Sequence, residues 1–316
     1  MPIYTNSALA AILKMQPLFV FLALFAVQCI SAEIPEPCDA RLNGCVARNK
    51  ALPPTIFAAM TQSDPNFRES DACPLVCYND TGAQFEISHR FENPQVQLLG
   101  YLLHGSVEAE ILGAPGVGVI LSFYLQSDDK DEIDIAEIFG GNHLLFQTNY
   151  FSKGDVTTNG KGIYVGLDLS PLYNFHKYGV RWTAEEIEWT VDGAVVRHVR
   201  KEPGEGFPNS PMRVRFSLWI GGDPANEAGT ITWSGGITDF AEAPFRMFVR
   251  NIRIDNAGGG TEYIYSNDQA LVVHGVGEDL FFNGLATIAR LSLEAGGVSG
   301  IQWAWYWLLM VVFVSM

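Results

Sequence analysis

Along the middle of the chain, apolar and polar residues alternate with a period of two. Val107, Ala109 and Ile111 are interleaved with Glu108 and Glu110, and Met247 and Val249 with Arg246 and Arg250. A period of two places one set of side chains on each face of a strand, so these segments predict half-buried β-strands. The run Ile187-Glu188-Trp189-Thr190-Val191 is followed by Asp192-Gly193 and then by Ala194-Val195-Val196-Arg197. Asp-Gly supplies the positive backbone angles of a tight hairpin turn, which predicts two antiparallel strands. No long segment of the core sustains a 3.6-residue apolar period, and no internal repeat is evident. Many strands separated by Gly- and Pro-bearing turns predict an antiparallel sandwich. Trp182 and Trp189 are assigned to its core. The glycines of 113–118 lack a phosphate-loop pattern and read as a strand turn. The segment Asp255–Gly260 and the stretch after Ser266 read as a loose exit from the domain.

The two ends break this pattern. Lys14 precedes an apolar stretch from Pro17 to Ile30 that closes on Ser31-Ala32. It falls short of the roughly 20 apolar residues of a bilayer span and reads as a secretory signal covering 1–32. At the other end an apolar tail, 301–316, has no charge after Glu294 and follows Ala295, Gly296, Gly297, Ser299 and Gly300. Small residues, a spacer and an uncharged tail fit a lipid-anchor attachment signal, with a short membrane helix as the alternative. The expected organisation is a signal peptide at 1–32, one catalytic-sized domain at 33–268, a linker with the attachment region at 269–300, and the tail. Either reading of the tail puts the protein outside the cell, at the outer face of the plasma membrane or in the wall.

A formal charge of −15 argues against nucleic acid as a partner, since phosphate binding needs basic surface. Of five cysteines, Cys29 lies in the expected signal. Cys38, Cys45, Cys73 and Cys77 cluster early in the mature chain and, in an oxidising compartment, predict two disulfides. Three pairings are open; Cys38–Cys45 and Cys73–Cys77 are favoured because each closes a short loop. Zinc is the lesser alternative, because the spacing is wrong and no histidine lies nearby. Asn79-Asp80-Thr81 is a glycosylation sequon. The six histidines are scattered, so neither a metal nor any other cofactor is expected.

The sharpest chemistry lies in Asp131-Glu132-Ile133-Asp134-Ile135-Ala136-Glu137-Ile138. Alternation puts Glu132 and Asp134 on one face but Glu137 on the other. One extra residue, a β-bulge near Ile135-Ala136, would return Glu137 to the acidic face. Three carboxylates on one face repel, and their proton affinities must split. One ionised and one protonated carboxyl, about 5–5.5 Å apart, is the equipment of retaining glycoside hydrolysis. The other reading is a solvated acidic strand or a calcium site helped by Asp128 and Asp129.

At these residues the chain resembles glycoside hydrolase family 16, whose strand motif is Glu-x-Asp-x(x)-Glu, and within it the fungal Crh-type chitin–glucan transglycosylases. The resemblance continues through Gly140-Gly141-Asn142, Gln147 to Gly154, Tyr178 to Trp182, the Asp192-Gly193 hairpin, Pro211 to Pro224, and Gly229 to Trp233. It implies a concanavalin-like β-jelly-roll sandwich with a substrate cleft on its concave sheet. It also implies Glu132 as nucleophile, Asp134 as assisting carboxylate and Glu137 as acid/base, with Arg215, Trp219 and Thr230 binding polysaccharide. The chain carries the longer Glu-x-Asp-x-x-Glu form, more usual in β-1,3-glucanase branches of that family. Trp219 and Trp233 are further candidates for stacking on sugars, with the core as their alternative. Gln147, Asn149 and Tyr150 are expected on the neighbouring strand, bonding sugar hydroxyls. The expected partners are chitin and β-glucan, and the protein is expected to act as a monomer. A catalytically silent glycan-binding wall protein is the competing reading.

Overall fold

The protein is described by a computed structural model covering residues 47–155, 161–266 and 269–273. The expected signal peptide, the Cys38–Cys45 pair and the apolar tail lie outside the described residues. The described residues form eighteen strands: β1 (Ala47–Lys50), β2 (Thr55–Ala58), β3 (Phe67–Glu69), β4 (Val76–Asn79), β5 (Gly82–Ile87), β6 (Gln95–Leu98), β7 (Gly105–Leu112), β8 (Val119–Gln126) and β9 (Glu132–Phe139). They continue as β10 (Leu145–Phe151), β11 (Ile163–Gly166), β12 (His176–Trp182), β13 (Glu186–Val191), β14 (Ala194–Arg200), β15 (Arg213–Ile220), β16 (Phe245–Asn256), β17 (Glu262–Ser266) and β18 (Gln269–Val273). One short helix, α1 (Ala228–Trp233), follows β15.

The strands form a seven-stranded sheet, β11-β10-β9-β8-β15-β6-β3, and an eight-stranded sheet, β14-β13-β12-β7-β16-β5-β4 with β2 alongside β16. Most neighbours are distant in sequence, as in a jelly roll, and the pairings of these strands are antiparallel. Alternation is what lets the two sheets share a core. Val107, Ala109 and Ile111 of β7 and Met247 and Val249 of β16 point inward and are buried, while Glu110 and Arg250 pair on the outer face at 2.8 Å. The seven-stranded sheet contributes Phe123, Phe146 and Phe216, and Phe146 meets Tyr178 of the opposite sheet edge-on at 4.9 Å. Trp182 and Trp189 are fully buried, as expected. The hairpin forms at Asp192 (φ 49°) and Gly193 (φ 82°), the positive angles that the Asp-Gly pair predicts.

Two expectations about the end of the domain need correction. Asp255 and Asn256 belong to β16, and the chain then turns back rather than leaving. β17 pairs with β1 and with β18, so regular structure runs past residue 268, to Val273. A disulfide joins Cys73 and Cys77 across a Cα separation of 4.8 Å. Asn79 is exposed at the β4–β5 turn. Among the described residues no helix is long and apolar enough to cross a membrane.

Candidate active site

The outer face of the seven-stranded sheet carries the acidic motif, and its register explains how. Along β9, Glu132 faces Gln126 of β8 and Asp134 faces Tyr124, but the next pairs are Ala136 with Phe123 and Glu137 with Ser122. Ile135 is the extra residue. The neighbour β10 shows the same slip, with Asn149 opposite Asp134 and Gln147 opposite Glu137. A bulge on β9 thus falls where it was expected and restores Glu137 to the face of Glu132 and Asp134. Ile133, Ile135, Ala136 and Ile138 stay in the core.

The face reads as transverse rows of cross-strand neighbours. One row runs Gln147, Glu137, Ser122, Ser217, Gln95; the next Asn149, Asp134, Tyr124, Arg215, Gln97; a third Phe151, Glu132, Gln126, Arg213. A groove of about 520 Å³ is lined by Glu132, Asp134, Glu137, Gln147, Asn149, Phe151, Trp219, Gly229, Thr230 and Trp233. Helix α1 closes one side: Gly229 and Thr230 lie four and three residues before Trp233, which sets each of them beside Trp233 on the helix surface. Trp233 donates its indole N–H to Gln147 Oε1 at 3.2 Å, packs edge-on against Phe139 at 5.0 Å and stacks on Trp219 at 5.9 Å.

Each carboxylate has its own surroundings. Gln126 Nε2 donates to Glu132 Oε2 at 2.5 Å. Ser122 Oγ donates to Glu137 Oε2 at 2.7 Å, and Trp219 Nε1 donates to Ser122 Oγ at 2.9 Å. Burial pushes the Glu137 carboxyl up to about 8; the Ser122 hydroxyl opposes this and the charge of Glu132 adds to it. Asp134 is raised well above the carboxylate range, first by burial, then by the charges of Glu132 and Glu137, and by a hydrogen bond with Glu132, with the more distant Arg197 opposing. A protonated Asp134 beside Glu132 can donate to it. The arrangement can therefore hold a proton on Glu137, supply a carboxylate at Glu132 and steady that carboxylate from Asp134.

Tyr150 is one of two exceptions among the sequence candidates. Its side chain is buried on the core side, near Trp189 and Phe207 and under the ammonium of Lys161 at 4.3 Å. The bulge lies in β9, so β10 keeps strict alternation: Gln147, Asn149 and Phe151 face the groove and Tyr150 cannot. Phe151 was missed for the same reason, although counting by two from Gln147 finds it. Arg215 stands on the outer face one strand beyond β8, opposite Tyr124 and outside the residues that line the groove. Trp219, Thr230 and Trp233 all line it. Ser122, Tyr124 and Gln126 carry no signal in the sequence without the register. Asp128, Asp129 and Asp131 do not form an open calcium site: Asp128 accepts from Tyr101 at 2.9 Å, and the other two engage Lys153 at 2.7 and 3.0 Å.

Residues 65–235 match the family model for glycosyl hydrolases family 16. The chain belongs to that family. Among its family 16 relatives are a Crh-like protein of Candida albicans, CRH11, 41% identical over 64% of this chain, and Crh-like protein 5 of Aspergillus fumigatus, 35% identical over 84%. The matched segments span 44% and 64% of those two proteins. The solved structure of Crh5 transglycosylase in complex with NAG aligns with a TM-score of 0.66 at 39% identity, covering 70% of this chain and 91% of that one. The β-glucanase of Bacillus licheniformis shares the family 16 sandwich, with a TM-score of 0.55 at 19% identity over 64% of this chain and 98% of its own. The fold is thus the antiparallel jelly-roll sandwich of family 16.

Proposed function

We propose that this protein is a retaining glycosidase and transglycosylase of cell-wall polysaccharide, which cleaves a β-linked chain of chitin or glucan and passes it to a β-glucan acceptor. Glu137 protonates the leaving oxygen while Glu132 attacks the anomeric carbon; Asp134 steadies Glu132. A sugar hydroxyl or water, deprotonated by Glu137, then releases the glycosyl group. Trp219 and Trp233 cover the apolar faces of pyranose rings, and Gln147, Asn149 and Thr230 bond their hydroxyls. The observation that carries the reading is the Ile135 bulge, which sets a proton-holding glutamate on the face of a second one. Similarity to a solved transglycosylase supports transfer over hydrolysis. The reading includes an extracellular location, attachment through the C-terminal tail, a glycan on Asn79 and action as a monomer.

A second reading, β-1,3-glucan hydrolysis, is favoured by the longer Glu-x-Asp-x-x-Glu spacing. Incubation with chitin oligomers and a labelled glucan acceptor separates the two. Transfer predicts labelled product that Glu132→Gln lowers by about 10³-fold or more. Shortened chains without captured label mean hydrolysis. Binding without any product leaves a glycan-binding wall protein and sinks both enzymatic readings.

A further inference from the structure

The hydroxyl of Ser122 lies between two groups with different tasks. Trp219 Nε1 is 2.9 Å from its oxygen, and Glu137 Oε2 is 2.7 Å away. An indole N–H can only donate. The Ser122 oxygen therefore accepts from Trp219, and its single hydrogen is left for another partner. Among the described residues these two are the hydrogen bonds of this hydroxyl, and Ser122 is buried. A buried O–H is costly without an acceptor, so the hydrogen points at Glu137 Oε2. In the neutral acid the oxygen that accepts this bond is the carbonyl oxygen. The acidic proton then sits on Oε1.

We infer that Ser122 is a positioning residue for the acid: oriented by Trp219, it assigns the transferable proton of Glu137 to Oε1, the oxygen that Ser122 does not occupy. The inference rests on Glu137 being the acid of the proposed function. In the first step the Oε1–H bond breaks as the glycosidic oxygen takes the proton. The bond from that oxygen to the anomeric carbon breaks, its electron pair stays with the oxygen, and an oxygen of Glu132 bonds the carbon. Ser122 then donates to a full carboxylate, where its bond is stronger. In the second step that carboxylate takes a proton from the incoming hydroxyl, whose oxygen displaces Glu132. Without the Trp219 N–H the serine could turn and accept instead, and the proton would be shared between both oxygens. Trp219 thus serves twice, with its ring face towards sugar and its N–H towards the acid.

The test follows Glu137 by carbon NMR titration, beside the pH dependence of kcat and KM, in the parent protein, Ser122→Ala, Trp219→Phe and Trp219→Ala. Ser122→Ala should move the Glu137 titration and the basic limb of kcat upward by about one unit, because a bond to the ionised form is lost. Its plateau kcat should fall about tenfold with KM little changed. Trp219→Phe keeps an aromatic face but no N–H; it should shift the limb upward by less and leave KM near the parent value. Trp219→Ala should add a several-fold rise in KM. An unmoved Glu137 titration in Ser122→Ala overturns the inference, and so does a Trp219→Phe protein with the parent's limb and kcat. A parent protein that yields no product from any β-glycan overturns the acid reading with it, whereas product with an unmoved limb overturns the role of Ser122 alone.

Discussion

Two groups of carboxylates follow one another in the chain, and both lie wholly or partly buried. Asp129 and Asp131 precede β9; Glu132, Asp134 and Glu137 lie on it. The first pair is closed around one ammonium: Lys153 Nζ donates to Asp129 Oδ2 at 2.7 Å and to Asp131 Oδ2 at 3.0 Å. The backbone N–H groups of Lys153, Asn209 and Ser210 point at Asp131 at 2.8, 2.7 and 3.0 Å. Burial raises Asp129, but hydrogen bonds from Lys153, Ser127 and Ser210 outweigh it and hold its carboxyl below the usual range. In the second group the balance is reversed. Glu137 has one serine hydroxyl, and the guanidinium that opposes the rise of Asp134, Arg197, is spent on the Thr148 and Lys161 carbonyls at 2.9 and 2.6 Å. The same residue type in the same stretch is therefore structural where cations and amides close over it and reactive where they are withheld. Burial alone does not distinguish the two; the count of donors does.

The comparison breaks most visibly at Lys153. Lys153→Met would leave Asp129 and Asp131 buried without their ammonium, and removal of one partner of a buried pair costs about 3–5 kcal/mol. Urea denaturation should show that loss, whereas Asp134→Asn, which removes a carboxyl that burial disfavours, should leave stability unchanged or higher. A stability loss for Asp134→Asn equal to that of Lys153→Met would show that the two groups do not differ.

The next effect is the sign of the pH dependence. The folded state holds Glu137 at about 8 against an ordinary 4.5. Below the unfolded value both states carry the proton and nothing is lost. Between the two values the unfolded chain ionises while the folded one does not, so Glu137 makes stability fall as pH rises through that window. Asp129, held below its ordinary 3.8, contributes stability that is present above that value and lost as pH falls. Unfolding measured from pH 4 to 9 should therefore show a shallower downward slope above pH 5 in Glu137→Gln, the remainder coming from the raised Asp134, and the full slope in Lys153→Met. Activity should fall as pH rises through about 8, where Glu137 gives up its proton.

Much of this was legible in the sequence because the rule involved is local. Alternation marks β7 and β16, Asp192-Gly193 marks a hairpin, and the break in alternation between Asp134 and Glu137 demands one extra residue if three carboxylates are to act together. What stayed hidden depends on pairing. Gln147, Asn149 and Tyr150 look alike as polar-tipped neighbours, and only the unbulged register of β10 sends Tyr150 to the core. Ser122, Tyr124 and Gln126 sit on an ordinary apolar-looking strand until β8 is laid beside β9. The Lys153 cluster joins residues 129, 131, 153 and 210, a separation that no motif spans. Helix α1 is six residues long, too short for a period to register. The stretch after Ser266 reads as an exit, whereas β18 in it is held by pairing with β17, itself paired with β1.

The smallest expected effect concerns the bulge itself. An extra residue leaves local backbone groups without ladder partners. At this one, Trp189 of the opposite sheet crosses the core and donates its indole N–H to the Asp134 carbonyl at 2.9 Å. Arg197 lies over the same indole at 4.4 Å and donates to the Thr148 carbonyl on β10, bracing both strands at the slip. Trp189→Phe should preserve most of the packing but leave that carbonyl unsatisfied, a loss of about 1–3 kcal/mol. Because Asp134 and Glu137 flank the slip, kcat should fall about tenfold, as expected when reacting groups are misplaced by a fraction of an ångström. The basic limb near pH 8 should not move, since the Ser122–Glu137 bond is untouched. Val191→Ala, a cavity elsewhere on the same strand, serves as the control: it should lower stability by a similar amount with kcat intact. If both variants lose stability equally and neither loses kcat, the bulge is held by the ladder around it and the indole is only filling.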